Sequence, residues 1–161
     1  MELRDIKRSE LTMMRDFLYH AIYTGEDAAP LPRSIIRHPD VFAYIDGFGS
    51  RIGDRCIVAD IDGAPVGAVW TRLFSGENRG YGNVDSATPE LSMSVLPEYR
   101  GRGIGKLLLA EMLERLKKEG CKNVSLSVQK ENFAMKMYEK AGFHIHREEG
   151  SDAVMVWHCH K

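Results

Sequence analysis

Apolar and polar positions recur along this chain with a small number of periods, and those periods divide it into elements. Leu3 to Lys7 alternates as a short strand, and Ser9 stands where it can N-cap a helix running to about Ile22. Pro30 to Gly53 is irregular, with one or two short helical pieces. Cys56 to Ile61 and Pro65 to Phe74 read as strands joined through Asp62-Gly63, a strong signal for a two-residue hairpin turn. Ser75 to Thr88 reads as a loop, Glu90 to Leu96 as a strand, Ile104 to Glu119 as a helix stopped by Gly120, and Asn123 to Val128 as a strand. Asn132 caps a shorter helix ended by Gly142, and Phe143 to Arg147 with Ala153 to Cys159 form a closing hairpin around Gly150-Ser151. In the longest helix Ile104, Leu108, Met112 and Leu116 make one stripe that Leu109 and Leu113 widen, while Lys106, Glu111, Glu114, Lys117 and Lys118 face water. The order of elements predicts a mixed α/β sandwich.

A chain of 161 residues, 43% hydrophobic and 28% charged, is the size of one domain with one sizeable core. Its net charge of −1 gives no general attraction to nucleic acid or an anionic membrane, so any cationic patch is local. Cys56, Cys121 and Cys159 form no C-x-x-C pair, and the charged start Met1-Glu2-Leu3-Arg4-Asp5 is no secretory leader, which predicts a reduced, cytoplasmic protein. No apolar run approaches the roughly 20 residues that span a bilayer.

The junction Arg100-Gly101-Arg102-Gly103-Ile104-Gly105, between a strand and the long helix, exposes backbone N–H groups at a positive helix end, an arrangement suited to a diphosphate. Glycines at 101, 103 and 105 let a ligand approach the backbone, and Arg100, Arg102 and Lys106 supply cationic partners. A dinucleotide G-x-G-x-x-G fails, because Lys106 or Leu108 stands where the last glycine belongs. A P-loop fails too: Arg100 replaces its first glycine, and Leu107 follows the lysine. The spacing that fits is [Gln or Arg]-x-x-G-x-[Gly or Ala], met by Arg100, Gly103 and Gly105 after Val95-Leu96-Pro97. It resembles the pyrophosphate loop of the GNAT superfamily of acyl-CoA-dependent N-acyltransferases. Asn132-Phe133-Ala134 followed by Tyr138-Glu139-Lys140-Ala141-Gly142-Phe143 resembles the second family signature, Asn-x-Ala-x-x-x-Tyr-x-x-x-Gly-Phe. The resemblance covers Val66 to about Phe143; the first half of the chain matches only in layout.

This resemblance implies an α+β fold with a mostly antiparallel sheet of six to seven strands, about four flanking helices, and a splay between the fourth and fifth strands. Residues 1–55 then form the acceptor side, 56–143 the cofactor-binding core and 144–161 the closing hairpin of a single domain. The implied cosubstrate is acetyl-CoA. Its diphosphate would lie on residues 100–106, including Ile104, and its pantetheine arm along Ser94, Val95 and Leu96, with Asn132 bonding the arm and Ala134 leaving room for it. Pro97, with no N–H, helps end strand pairing there. The Val95 N–H is the candidate oxyanion donor. An amine of pKa about 10.4 is protonated near neutrality and needs a base. Glu90, at the start of the strand leading to the loop, is the leading candidate and Asp85 the second. Tyr138, at the signature tyrosine, is the candidate acid for the leaving thiolate and also faces the cofactor. Met135 and Met137 read as packing.

Other chemistries find less support. His144 with His146, and His158 with His160, share strand faces but lack a zinc-site pattern, so no metal is expected. Cys159 has no oriented base, and Ser92, Ser94, Ser125 and Ser127 lack a G-x-S-x-G elbow. For the acceptor, Tyr19, Tyr23, Phe42, Tyr44, Trp70, Phe74 and Tyr81 offer aromatic walls, and Glu26, Asp27, Asp46 and Glu77 offer negative charge for an ammonium group. Arg79-Gly80-Tyr81-Gly82 gives the 75–88 loop the character of a lid. The acceptor stays open among small amines, aminoglycoside-like compounds, amino acids and protein N-termini. The predicted activity is acetyl transfer from acetyl-CoA to a primary amine in a ternary complex. The alternatives are a non-catalytic acyl-CoA-binding sensor or interaction module and an ATP-binding regulator. A homodimer through the late strands is expected from the family.

Overall fold

Asp62 and Gly63 take φ of 53° and 87°, the positive values of a two-residue hairpin turn, and they join β2 (Arg55–Ile61) to β3 (Ala64–Arg72). In the computed structural model, which describes residues 1–25, 28–76 and 79–159, this hairpin lies within a seven-stranded sheet. Glu26, Asp27, Glu77 and His160 lie outside the described residues. The other strands are β1 (Glu2–Asp5), β4 (Glu90–Val95), β5 (Asn123–Gln129), β6 (His144–Glu149) and β7 (Asp152–His158). Their order is β1-β2-β3-β4-β5-β7-β6, antiparallel except for β4 and β5.

The parallel pair decides the architecture. β4 and β5 register at Glu90 and Ser125, where the Ser125 N–H donates to Pro89 O at 3.0 Å, and beyond that point the strands diverge. This is the splay expected between the fourth and fifth strands. Four α-helices flank the sheet: α1 (Met14–Ala21), α2 (Pro39–Phe42), α3 (Ile104–Lys118) and α4 (Ala134–Ala141). Strand alternation sends Ile57, Val69, Leu91, Val124, Leu126 and Met155 to the α3/α4 face, and Cys56, Val58, Ala68 and Trp70 to the face covered by α1, Tyr44, Ile45 and Phe74. The six apolar stripe residues of α3 are all buried. At roughly 1.5–3 kcal/mol for each such side chain, that stripe anchors the helix and the loop before it.

Two local expectations are corrected. Ser9 does not cap the first helix: Arg8–Met13 winds as a 3-10 turn and α1 begins only at Met14. The reason is tertiary, because Glu10 accepts the Lys7 N–H at 2.8 Å while holding Arg4, which also bonds Asp60 of β2. Asn132 sits one residue before the N-cap position of α4, Phe133, although its Oδ1 still accepts the Ala134 N–H at 2.9 Å. The other end of α4 explains its signature. Gly142 at φ 107° closes the helix, the Phe143 N–H returns to Tyr138 O at 3.0 Å, and the two rings meet with centroids 5.8 Å apart.

Candidate active site

Among the described residues, the amides of 101 to 106 donate to no acceptor in the chain; the first helical bond of α3 is Leu107 N–H to Gly103 O at 3.2 Å. Six consecutive N–H groups are thus unpaired at the positive end of a 15-residue helix. The glycines serve different ends. Gly101 and Gly103 take φ of 78° and 80°, where an added Cβ would meet nothing within 4 Å, so backbone conformation selects glycine there. A Cβ at Gly105 would instead point inward, 3.5 Å from Met93 Cε. The two arginines are less free than expected: Arg100 Nε donates to Val95 O at 3.0 Å, and Arg102 Nη2 to Glu98 O at 3.3 Å with its guanidinium over the Tyr99 ring. Lys106 is exposed, and Ile104 is anchored in the core. An acyl-CoA diphosphate fits this donor array.

Of the three residues expected to leave the ladder, only Val95 has its backbone turned to the splay. The Leu96 N–H donates to Val66 O at 2.8 Å, so alternation directs the amides of Leu96, Ser94 and Ser92 to β3 and those of Val95 and Met93 to the gap. The Ser94 hydroxyl donates to Phe17 O at 2.6 Å, tying β4 to α1. For Ser94 and Leu96 the backbone contact expected with pantetheine is therefore replaced by sheet pairing. Met93, which sequence reasoning passed over as an amide donor, shares the gap with Val95.

Glu90 begins β4 at the last paired position, only 2% exposed. Its Oε2 accepts the Tyr44 hydroxyl, and Tyr44 in turn accepts the Tyr81 N–H at 2.8 Å. Oε1 has no hydrogen-bond partner, nor has the buried Ser125 Oγ on the neighbouring strand. Burial pushes the Glu90 carboxyl up to about 7, against the Tyr44 hydroxyl, the Gly82 amide and the Arg147 charge, which favour ionisation. Residues 79–83 of the loop lie directly above. A Cβ on Gly80 would strike Glu90 Oε1, and one on Gly82 would come within 2.6 Å of the Leu126 and Ser127 backbone. Asn83 O accepts Arg147 Nη2 at 3.0 Å, which fastens the loop to β6. The predicted lid therefore rests on the β4–β5 junction.

The remaining residues sort by contact. Tyr138 is buried, its phenol pushed up to about 12 by burial, and its hydroxyl makes no hydrogen bond among the described residues. Ala134 is half-buried, and Met135 and Met137 pack against the core. Asp85 is exposed; Thr88 and the Ala87 amide hold its carboxyl below the usual range, which suits a turn rather than a base. Trp70 and Phe74 are core residues, 1% exposed, and not open walls. Tyr19 bonds Leu31 O beneath Arg33, Tyr23 reaches Glu131 O at 3.4 Å, Phe42 packs under Arg15, and Tyr81 is exposed and parallel to Tyr44. His144 stacks on His158 at 4.9 Å, and the described residues hold no group of three metal-binding side chains. A groove of about 620 Å³ between β1 and the end of α3 contains none of these residues; its Arg55 is paired with Glu119 and its Arg115 with Asp5.

Sequence reasoning missed Arg72. Its guanidinium, 1% exposed, bonds Asp54 at 3.0 and 2.9 Å and the carbonyls of Ala43 and Asp46 at 3.0 and 2.7 Å. It thereby holds the segment that carries Tyr44. A charged residue ending a nine-residue strand was the only local signal.

Residues 19–143 match the acetyltransferase (GNAT) family. The chain belongs to that family of enzymes. It is 32% identical over 142 residues to an uncharacterized N-acetyltransferase of Archaeoglobus fulgidus, covering 83% of this chain and 88% of that one. Over 60 residues it is 42% identical to the [ribosomal protein bS18]-alanine N-acetyltransferase of Haemophilus influenzae, spanning 37% of this chain and only 40% of that relative. The PaiA N-acetyltransferase of Thermoplasma acidophilum, solved in complex with coenzyme A, shares the fold with a TM-score of 0.70 over 98% of both chains at 21% identity.

Proposed function

We propose that this protein transfers the acetyl group of acetyl-CoA to a primary amine of a small molecule or peptide by direct attack. The observation that carries the reading is Glu90: a buried carboxyl brought near neutrality, one oxygen unpartnered, at the point where the sheet opens toward six free amides. A sensor that only bound acyl-CoA would gain nothing from such a group, whose burial costs stability.

Bound acetyl-CoA supplies a thioester carbonyl and a thiol leaving group. Residues 101 to 106 hold the diphosphate, and Asn132 and Ala134 border the pantetheine arm. The Val95 N–H, with Met93 beside it, faces the developing oxyanion. Glu90 takes a proton from the ammonium group through Oε1, directly or through water. The Tyr138 hydroxyl, kept protonated by burial, would give a proton to the sulfur as the C–S bond breaks and regain one from the newly acylated nitrogen, which sheds its second proton on becoming an amide. The acceptor meets Glu90 from the α1 face, beside Tyr81.

The experiment is thiol release from acetyl-CoA with an amine panel: an alanine-initiated peptide, spermidine, kanamycin and free amino acids. Turnover with one of them, reduced at least a hundredfold by Glu90→Gln with acetyl-CoA affinity retained, is the expected result. Calorimetry showing no acetyl-CoA binding at millimolar concentration, or binding without turnover on the whole panel, overturns it.

A further inference from the structure

We infer that Tyr44 is a positioning residue for Glu90: by occupying Oε2 it leaves Oε1 as the oxygen that exchanges a proton with the acceptor amine. The inference rests on the reading of Glu90 as base.

A phenol hydroxyl has one proton to give and two lone pairs. The Tyr81 N–H, which can only donate, takes one lone pair at 2.8 Å. The hydroxyl's one acceptor among the described residues is Glu90 Oε2. The chain of donation therefore runs in one direction, from the Tyr81 amide to Tyr44 to Oε2. A proton arriving at Oε2 would meet the phenol hydrogen, so protonation falls to Oε1, to which no side chain donates; the Gly82 amide, which favours the charged carboxylate, makes no well-formed hydrogen bond to it.

The surroundings support this division of labour. Tyr44 is 8% exposed and held edge-on against Phe74, with ring centroids 5.1 Å apart. Its backbone segment is clamped by Arg72 through Ala43 O and Asp46 O. Gly80 lies over Oε1 so closely that even a Cβ would strike it, and the oxygen is sealed from solvent while the loop rests there. Beside Glu90 on β5 stands Ser125, whose Oγ is likewise buried and unpartnered.

The titratable and charged groups around Glu90 come from each neighbouring element. From β3 it faces Arg72, whose guanidinium is turned to Asp54; from the 75–88 loop Tyr81; from β6 Arg147, which is paired with Glu149. β5 contributes Ser125 and Ser127, which do not titrate. Tyr44 alone among them donates a side-chain hydrogen bond to the carboxylate.

The test is a carbon-13 NMR titration of the full chain labelled at glutamate Cδ, with the Glu90 signal identified by its loss in Glu90→Gln. In Tyr44→Phe the midpoint should rise by about one to two pH units, because a hydrogen bond to the charged form is gone. With 3-fluorotyrosine replacing tyrosine throughout, a stronger donor, it should fall. On the best amine of the panel, the acid limb of kcat/KM in Tyr44→Phe should move by the same amount, with activity recovering at alkaline pH. An unmoved midpoint in both proteins overturns the inference, as does a loss of kcat/KM equal at every pH. Retention of the acid limb and turnover by Glu90→Gln instead defeats the base assignment itself, so the two failures are distinct.

Discussion

Removing the Arg72 guanidinium would leave the Asp54 carboxylate sealed inside the protein. Both side chains are 1% exposed, and four hydrogen bonds converge on the guanidinium. Breaking a buried ion pair from one side typically costs ~3–5 kcal/mol, because the remaining charge keeps its desolvation penalty and loses its partner. For a domain of this size that corresponds to a fall in Tm of roughly 6–20 °C. Arg72→Met tested by urea unfolding at pH 7, followed by tryptophan fluorescence, should show a loss in this range. Asp54→Leu alone should cost less, since the guanidinium keeps the Ala43 and Asp46 carbonyls. The double variant should be clearly less destabilised than the sum of the two, as the residues act as one unit. Asp54 also carries a pH signature. Burial raises its carboxyl, but Arg72 and the amides of Gly49 and Arg51 outweigh that and lower it. Its stabilisation is therefore present in full above the unfolded value of about 3.9 and lost as pH falls through the lower folded value. A loss below about 1 kcal/mol for Arg72→Met, or strict additivity in the double variant, would refute the view that this pair is a buried, interdependent clamp.

Glu90→Gln should stabilise the protein while harming turnover. The Glu90 carboxyl rises from 4.5 to about 7 on folding, so its contribution is intact below the unfolded value and is lost as pH rises through 7. Above pH 7 the variant should gain on the order of 3 kcal/mol over the parent in urea unfolding, and a variant no more stable at pH 8 than at pH 4.5 relative to the parent contradicts this. Gly82→Ala should lift the loop from β5, since its Cβ would lie 2.6 Å from backbone atoms that cannot yield. Hydrogen exchange should quicken across residues 79–85 while α3 stays protected, and unchanged loop protection would count against the contact.

Much of the cofactor half was legible because its determinants are local. The apolar stripe of α3 specified a buried face whatever the strands did, whereas the positive φ of Gly101 and Gly103, read from the sequence only as room for a ligand, appeared with the structure. Gly142 marked the helix stop, and the structure added that Phe143 then folds its ring onto Tyr138. The acceptor half was legible only as a roll of aromatic and acidic residues. Trp70 and Phe74 turned out to be core, Tyr44 a partner of Glu90, and Ser94 and Leu96 members of the ladder, because which face or edge a strand residue serves depends on register with a distant strand.

By itself, then, the order of residues determined the periods, the turns and the free amides at the head of α3, since these follow from φ preferences and from spacing within a few residues. Only tertiary structure decided the state of Glu90. Its hydroxyl partner lies 46 positions away, its covering glycines come from a loop, and its opening to the cleft is set by where β4 parts from β5. Burial and pairing across such separations leave no period in the chain, because they arise when the sheet brings its strands into register.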